Sequence, residues 1–123
     1  MKLYRLSFAK IYHLRDDLGE VIVDEGVSIN LTMIDEIHST FNDMFAGVFS
    51  LLINKSNAYS TELDALIKFG AHPGLDQIAV FAPNKLAKLS ADFSADIPSS
   101  STLNIQVFTC RDSALTWLND VPS

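Results

Sequence analysis

The chain carries one cysteine, Cys110, in 123 residues. A lone cysteine excludes an internal disulfide and a cysteine-rich zinc site. Histidine is also scarce. His13, His38 and His72 lie far apart, outside H-E-x-x-H or any similar ligand spacing. No metal and no cofactor are therefore expected. Long apolar runs are missing as well. The opening MKLYRLSFAK is interrupted by Lys2, Arg5, Ser7 and Lys10, so it has no signal-peptide core, and no run reaches membrane-spanning length. A soluble cytoplasmic protein without an integral membrane segment is the expectation. Positive charge is in deficit: 9 basic against 15 acidic residues give a net charge of −6. Such a surface repels phosphate backbones unless a local basic patch intervenes. Lys85 and Lys88 are the closest basic pair in the second half, while Lys2, Arg5 and Lys10 are scattered. Nucleic acid is not an expected partner, and a basic protein surface is the easier one.

What is present suits a globular fold. Apolar residues at 48% and charged residues at 20% argue against global disorder and for a buried core. One domain over residues 1–123 is expected. Leu3 to Leu14 is rich in aromatic and branched residues and reads as a strand. Arg15 to Gly19 is a turn signal, and Glu20 to Gly26 reads as an antiparallel second strand. The period then changes. Ile34, Ile37, Phe41, Met44 and Phe45 recur at helical spacing, with Thr32 and Asp35 as a capping box and Gly47 as the stop. Val48 to Asn54 is a nearly continuous apolar run, the mark of a strand covered on both faces.

The next helix carries Leu63, Leu66 and Ile67 and ends at Gly70 and Pro73. Gln77 to Pro83 is another buried strand. Asn84 caps an expected third helix with Leu86, Leu89 and Phe93 as its stripe. Leu103 to Thr109 alternates as a strand, and Arg111 to Asp120 closes the chain as a helix. The expected fold is α/β: a mixed, mostly parallel five-stranded sheet with about four helices in the order β-β-α-β-α-β-α-β-α.

Four phrases within that order, VDEGVSINLTMIDEI, LLINKSNAYSTELDAL, QIAVFAPNKLAKLSADF and QVFTCRDSALTWL, resemble the SpoIIAA-like branch of the STAS superfamily, which includes small stand-alone bacterial proteins. The resemblance covers most of the chain and implies a regulatory domain that binds other proteins. In phosphorylatable members, a serine at the start of helix two accepts phosphate within an Asp-Ser-Ser/Thr-Gly signature. This chain has Tyr59, Ser60, Thr61 and Glu62 in the matching place, with no Asp directly before the serine and no Gly after the hydroxyls. Ser60 and Thr61 are thus carried over by position only, and Asn54 stands where many members have an Asp.

Ser56, Tyr59, Ser60 and Thr61 are the candidate phospho-acceptors or partner contacts. A helix N-terminus accommodates phosphate through free amides and a positive dipole end. The plainer role is capping, with Thr61 as the cap and Asp64 completing the box. Phe41 and Phe45 are the candidate lining of an apolar ligand cleft, as in the lipid-carrying SEC14-type proteins, although such rings more often fill a core. His72-Pro73-Gly74 is turn chemistry before it is an acid/base site. Asp24 and Glu25 alternate in direction and do not make a carboxylate pair. Trp117 and Phe108 belong to the core or its rim, though a tryptophan on the closing helix also suits a homodimer contact. No nucleophile–base pair emerges. The sequence therefore favours a non-enzymatic interaction domain with a protein partner, with a carrier or sensor of a small apolar ligand as the alternative.

Overall fold

The computed structural model describes residues 2–83 and 104–119. They form a mixed six-stranded sheet in the order β1-β2-β3-β5-β7-β8, a separate two-stranded sheet β4-β6, and three helices. The strands are β1 (Lys2–Arg5), β2 (Ala9–Arg15), β3 (Leu18–Val23), β4 (Ser28–Ile29), β5 (Phe49–Asn54), β6 (Ser60–Thr61), β7 (Leu75–Phe81) and β8 (Asn104–Phe108). The helices are α1 (Leu31–Met44), α2 (Leu63–Gly70) and α3 (Arg111–Asn119).

The α/β class holds, but the details differ from the sequence expectation. Six strands replace five in the main sheet, because Leu3 to Leu14 breaks into two at Leu6–Phe8. There the Leu6 N–H donates to the Ala9 carbonyl at 2.8 Å and Phe8 turns into the core. Pairing is antiparallel across β1, β2 and β3 and parallel across β3, β5, β7 and β8. The sheet is thus less parallel than expected. The helix expected from Asn84 to Phe93 lies outside the described residues.

The turn between β2 and β3 is tighter than the pattern suggests, with Arg15 paired to Leu18 across Asp16 and Asp17. Two-residue hairpin loops usually need positive φ. Neither aspartate adopts it, and the register is instead irregular between His13 and Arg15. Gly19, just beyond, is opposite His13. A Cβ there would lie 3.1 Å from the Phe45 ring, so glycine is what lets that ring approach the sheet.

Helix α1 starts one residue before Thr32. Asn30 is its N-cap, accepting the Met33 N–H at 3.0 Å, so the expected Thr32–Asp35 box is not the cap. Gly47 is not the stop either: the helix ends at Met44, and extended Phe45 donates its N–H to Phe41 at 2.9 Å. Phe45 leaves the helix because its ring is claimed by the core, stacking on Phe49 at 4.3 Å between centroids. Period-2 alternation then separates two layers. Val21 and Leu51 pack with Ile34, Ile37 and Phe41 of α1 and Ala65 of α2. Leu18, Leu52 and Ala79 pack on the opposite side against Ala114 and Leu118 of α3. Deleting a ring such as Phe41 would cost about 3–5 kcal/mol.

Candidate contact surface at the second helix

Two loops meet beyond the C-terminal ends of β3 and β5, the end of a parallel sheet where α/β proteins hold ligands. One is Asp24-Glu25-Gly26; the other runs from Asn54 to Thr61. Gly26 takes φ 79°, in the left-handed region that glycine enters at no steric cost. That turn aims its N–H at the Ala58 carbonyl, 2.7 Å away. The Glu25 carboxylate accepts the Ala58 N–H at 2.7 Å, and the Asn57 side chain donates to the Val23 carbonyl at 3.0 Å. Glu25 is thus a loop clamp, one charge-assisted bond that fixes a distant backbone amide.

Between these loops and α2 runs the short parallel ladder β4·β6, pairing Ser28 with Ser60 and Ile29 with Thr61. The Ser60 N–H donates to Val27 and the Glu62 N–H to Ile29, both at 3.0 Å. Two residues carry too little pattern for a strand to be read from sequence. This ladder moves Thr61 off the helix. Glu62 occupies the N-cap position of α2 and makes no side-chain cap bond, while Asp64 accepts the N–H of Ala65 at 2.8 Å. The expected Thr61–Asp64 capping box is therefore absent. Its hydroxyl-bearing residues sit on an edge ladder, and the helix starts beyond them.

A buried polar network launches the loop. Glu20 on β3 is 4% exposed and accepts three bonds. Arg111, the first residue of α3, donates Nη2 to Oε1 at 2.6 Å and Nε to Oε2 at 3.2 Å. Asn54, at the end of β5, donates Nδ2 to Oε2 at 3.0 Å. Its own Oδ1 accepts the Ser56 N–H at 3.0 Å. Bonding to Glu20 holds the Arg111 guanidinium above its ordinary pKa. Sequence order hides this triad, since its members come from three elements. The one available signal was a glutamate on the inward-facing register of a strand.

The proposed contact residues cluster on this frame. Ser56 and Ser60 are exposed, and Thr61 is half-buried. Tyr59 packs its ring against the α1 side of the core, with the Lys55 ammonium 4.1 Å over its face. Burial pushes the Tyr59 phenol up and the Lys55 ammonium down from their usual values. Beside them on α2, Leu63 is 57% exposed and Ile67 40%, one helical turn apart. Phe41 and Phe45 lie elsewhere, buried among aromatic rings, with Phe41 5.3 Å from Phe49 between centroids. Phe108 and Trp117 meet at 5.8 Å on the rim of the α3 layer.

Two further groupings were not legible in sequence. His38 on α1 and His72 ahead of β7 stand edge to face at 4.9 Å. His72 Nδ1 accepts the Gly74 N–H at 3.0 Å, so Nε2 carries the hydrogen and donates to Asn42 at 3.0 Å. His38 Nε2 lies 3.3 Å from the Phe69 carbonyl oxygen. Desolvation lowers both imidazole pKa values; at His38 the bond to the Phe69 carbonyl opposes this, while His72 and Lys68 add to it. Cys110 is exposed ahead of α3, and hydrogen bonds from Ser113 and Asp112 hold its thiol below the ordinary value. Among the described residues no group of three His, Cys, Asp or Glu side chains is placed to hold a metal, and no helix is long and apolar enough to cross a membrane.

No protein-family model matches the chain, and neither curated proteins nor solved structures include a significant match.

Proposed function

We propose that the chain is a non-enzymatic, STAS-like interaction domain that binds a protein partner through the Asn54–Thr61 loop and the outer face of α2. The observation that carries this reading is the exposure of Leu63 and Ile67 on successive turns of a short helix. Large aliphatic side chains left in water beside a rigid loop suit the apolar centre of a contact. Glu62 and Asp64 stand next to them, so the rim is acidic and favours a basic partner surface. The loop is pre-ordered by the Glu20 triad and the Glu25 clamp, which reduces the ordering cost of binding. Ser60 is exposed on the same frame. A phosphate there would add about two negative charges to this acidic rim.

The test is affinity capture from the source cells with three baits: the native chain, Leu63→Asp/Ile67→Asp, and Ser60→Asp. A partner held by the native chain and lost with the first variant is the expected result. If every captured protein is retained by that variant while it remains folded by circular dichroism, the α2 surface is not the contact. The carrier reading is weaker, because Phe41 and Phe45 spend their ring faces on Phe49 and on each other.

A further inference from the structure

Basic residues that are scattered in sequence are brought together by the first hairpin. Arg5 and Lys10 are direct cross-strand partners in the β1·β2 ladder, so both side chains leave the same face of the sheet. Like charges placed directly opposite one another destabilise a strand pair. The acid-rich chain does not relieve them: among the described residues the ion pairs are Arg15–Asp17, Lys68–Asp35 and Arg111–Glu20, and none reaches Arg5 or Lys10. Leu3 shares that face and is 36% exposed, while Lys2, on the opposite face, stands 4.9 Å over the Tyr4 ring. β1 is also the outermost strand, with no described strand on its outer side.

Edge cations commonly guard a sheet against pairing with copies of itself. Lys2 at the edge would serve that purpose alone, and the opposed Arg5–Lys10 pair goes further at a cost to the hairpin. An edge with this charge disfavours a second copy, whose own β1 carries the same cations. It is complementary to an extended acidic segment, which gains main-chain bonds along the edge and ion pairs with Arg5 and Lys10. We propose that β1 is a second docking surface, which takes an acidic, extended segment of a partner protein by strand addition. This surface is separate from α2 and opposite to it in charge preference.

The experiment uses the full chain labelled for amide NMR and two short capped peptides, one alternating Glu and Val, the other Lys and Val. The Glu–Val peptide is expected to slow hydrogen exchange at outward amides of Lys2–Arg5, and the Lys–Val peptide to leave them unchanged. Arg5→Glu should weaken the acidic peptide about ten-fold, equivalent to about 1.4 kcal/mol, while Leu63→Asp leaves it untouched. Equal response to both peptides, or an acidic-peptide response that survives Arg5→Glu, would overturn the proposal. So would concentration-dependent pairing of the free chain through β1, which would make a second copy the occupant. Tighter Arg5-dependent binding to phosphatidylserine vesicles than to the peptide would assign the surface to a membrane and likewise overturn it.

Discussion

Replacing Arg111 by methionine tests whether the Glu20 triad holds the sheet end together. The variant keeps an unbranched stem of similar reach and removes two of the three bonds that Glu20 accepts. Stranding one partner of a buried ion pair costs about 3–5 kcal/mol. Here the Arg111 side chain is 41% exposed while that of Glu20 is 5% exposed. Water entering where the guanidinium stood will recover part of the loss, which leaves a cost of about 2–3 kcal/mol. Glu20→Gln keeps an oxygen for Asn54 and strands no charge in the interior, so about 1–2 kcal/mol is expected. In the double variant the two losses should not add, with a coupling of about 1–2 kcal/mol. Urea unfolding followed by circular dichroism measures all four corners of the cycle. Amide exchange at Ser56 and Ala58 then shows whether the loop loosens with the triad. An Arg111→Met cost below about 0.5 kcal/mol, the range of ordinary surface changes, would refute the reasoning. Strict additivity of the two substitutions would refute it too.

Two further outcomes are expected. The His38–His72 pair makes stability fall with acid: folding lowers both pKa values from about 6.5, so the unfolded chain binds more protons below that pH. Stability should be complete above about pH 6.5, decline as pH drops through the unfolded value towards the folded ones, and flatten beyond them. Lys68 adds to the repulsion of a charged His38 and Asp35 opposes it. Urea midpoints from pH 8 to pH 5 read the slope, and a His38→Gln/His72→Gln variant with an undiminished slope would remove the pair as its source. For α1, Asn30→Ala should cost about 1 kcal/mol and Thr32→Ala a few tenths, because Asn30 holds the Met33 amide; equal costs would return the cap to Thr32.

Legibility followed the range of the interaction. Periodicity found α1 and α3 because burial on one face imprints a local repeat, and near-continuous apolar runs found β5 and β7. The spacing of Leu63, Leu66 and Ile67 also marked α2, yet Leu63 and Ile67 are exposed there. Ile34, Ile37 and Phe41 in α1 and Phe49, Leu51 and Leu52 in β5 proved buried where the pattern put them, whereas Val48, at the start of the expected run, is exposed. Boundaries failed where a tertiary contact overrode the local rule: Phe45 leaves α1 for its stack on Phe49, and Thr61 joins Ile29 in a ladder instead of capping α2. The local phrase Thr61–Asp64 was consistent with a cap, yet nothing in it announces a two-residue partner 32 positions earlier, at Ile29.

The same distinction separates the surface residues from what holds them in place. The exposure of Leu63 was not legible, but Ser56, Ser60 and Thr61 could be named from one contiguous phrase. Their setting depends on Glu20, Glu25 and Arg111, which reach that phrase from other elements. Only the fold converts Glu20 from an acidic letter in a strand into an anchor for Asn54, and through it for the Ser56 amide. Substituting Ser60 changes what the surface presents, whereas substituting Arg111 changes whether the surface is held in place at all. If both kinds of variant lose the same partner, native-like exchange at Ser56 and Ala58 in the first and accelerated exchange in the second would distinguish a contact from its support.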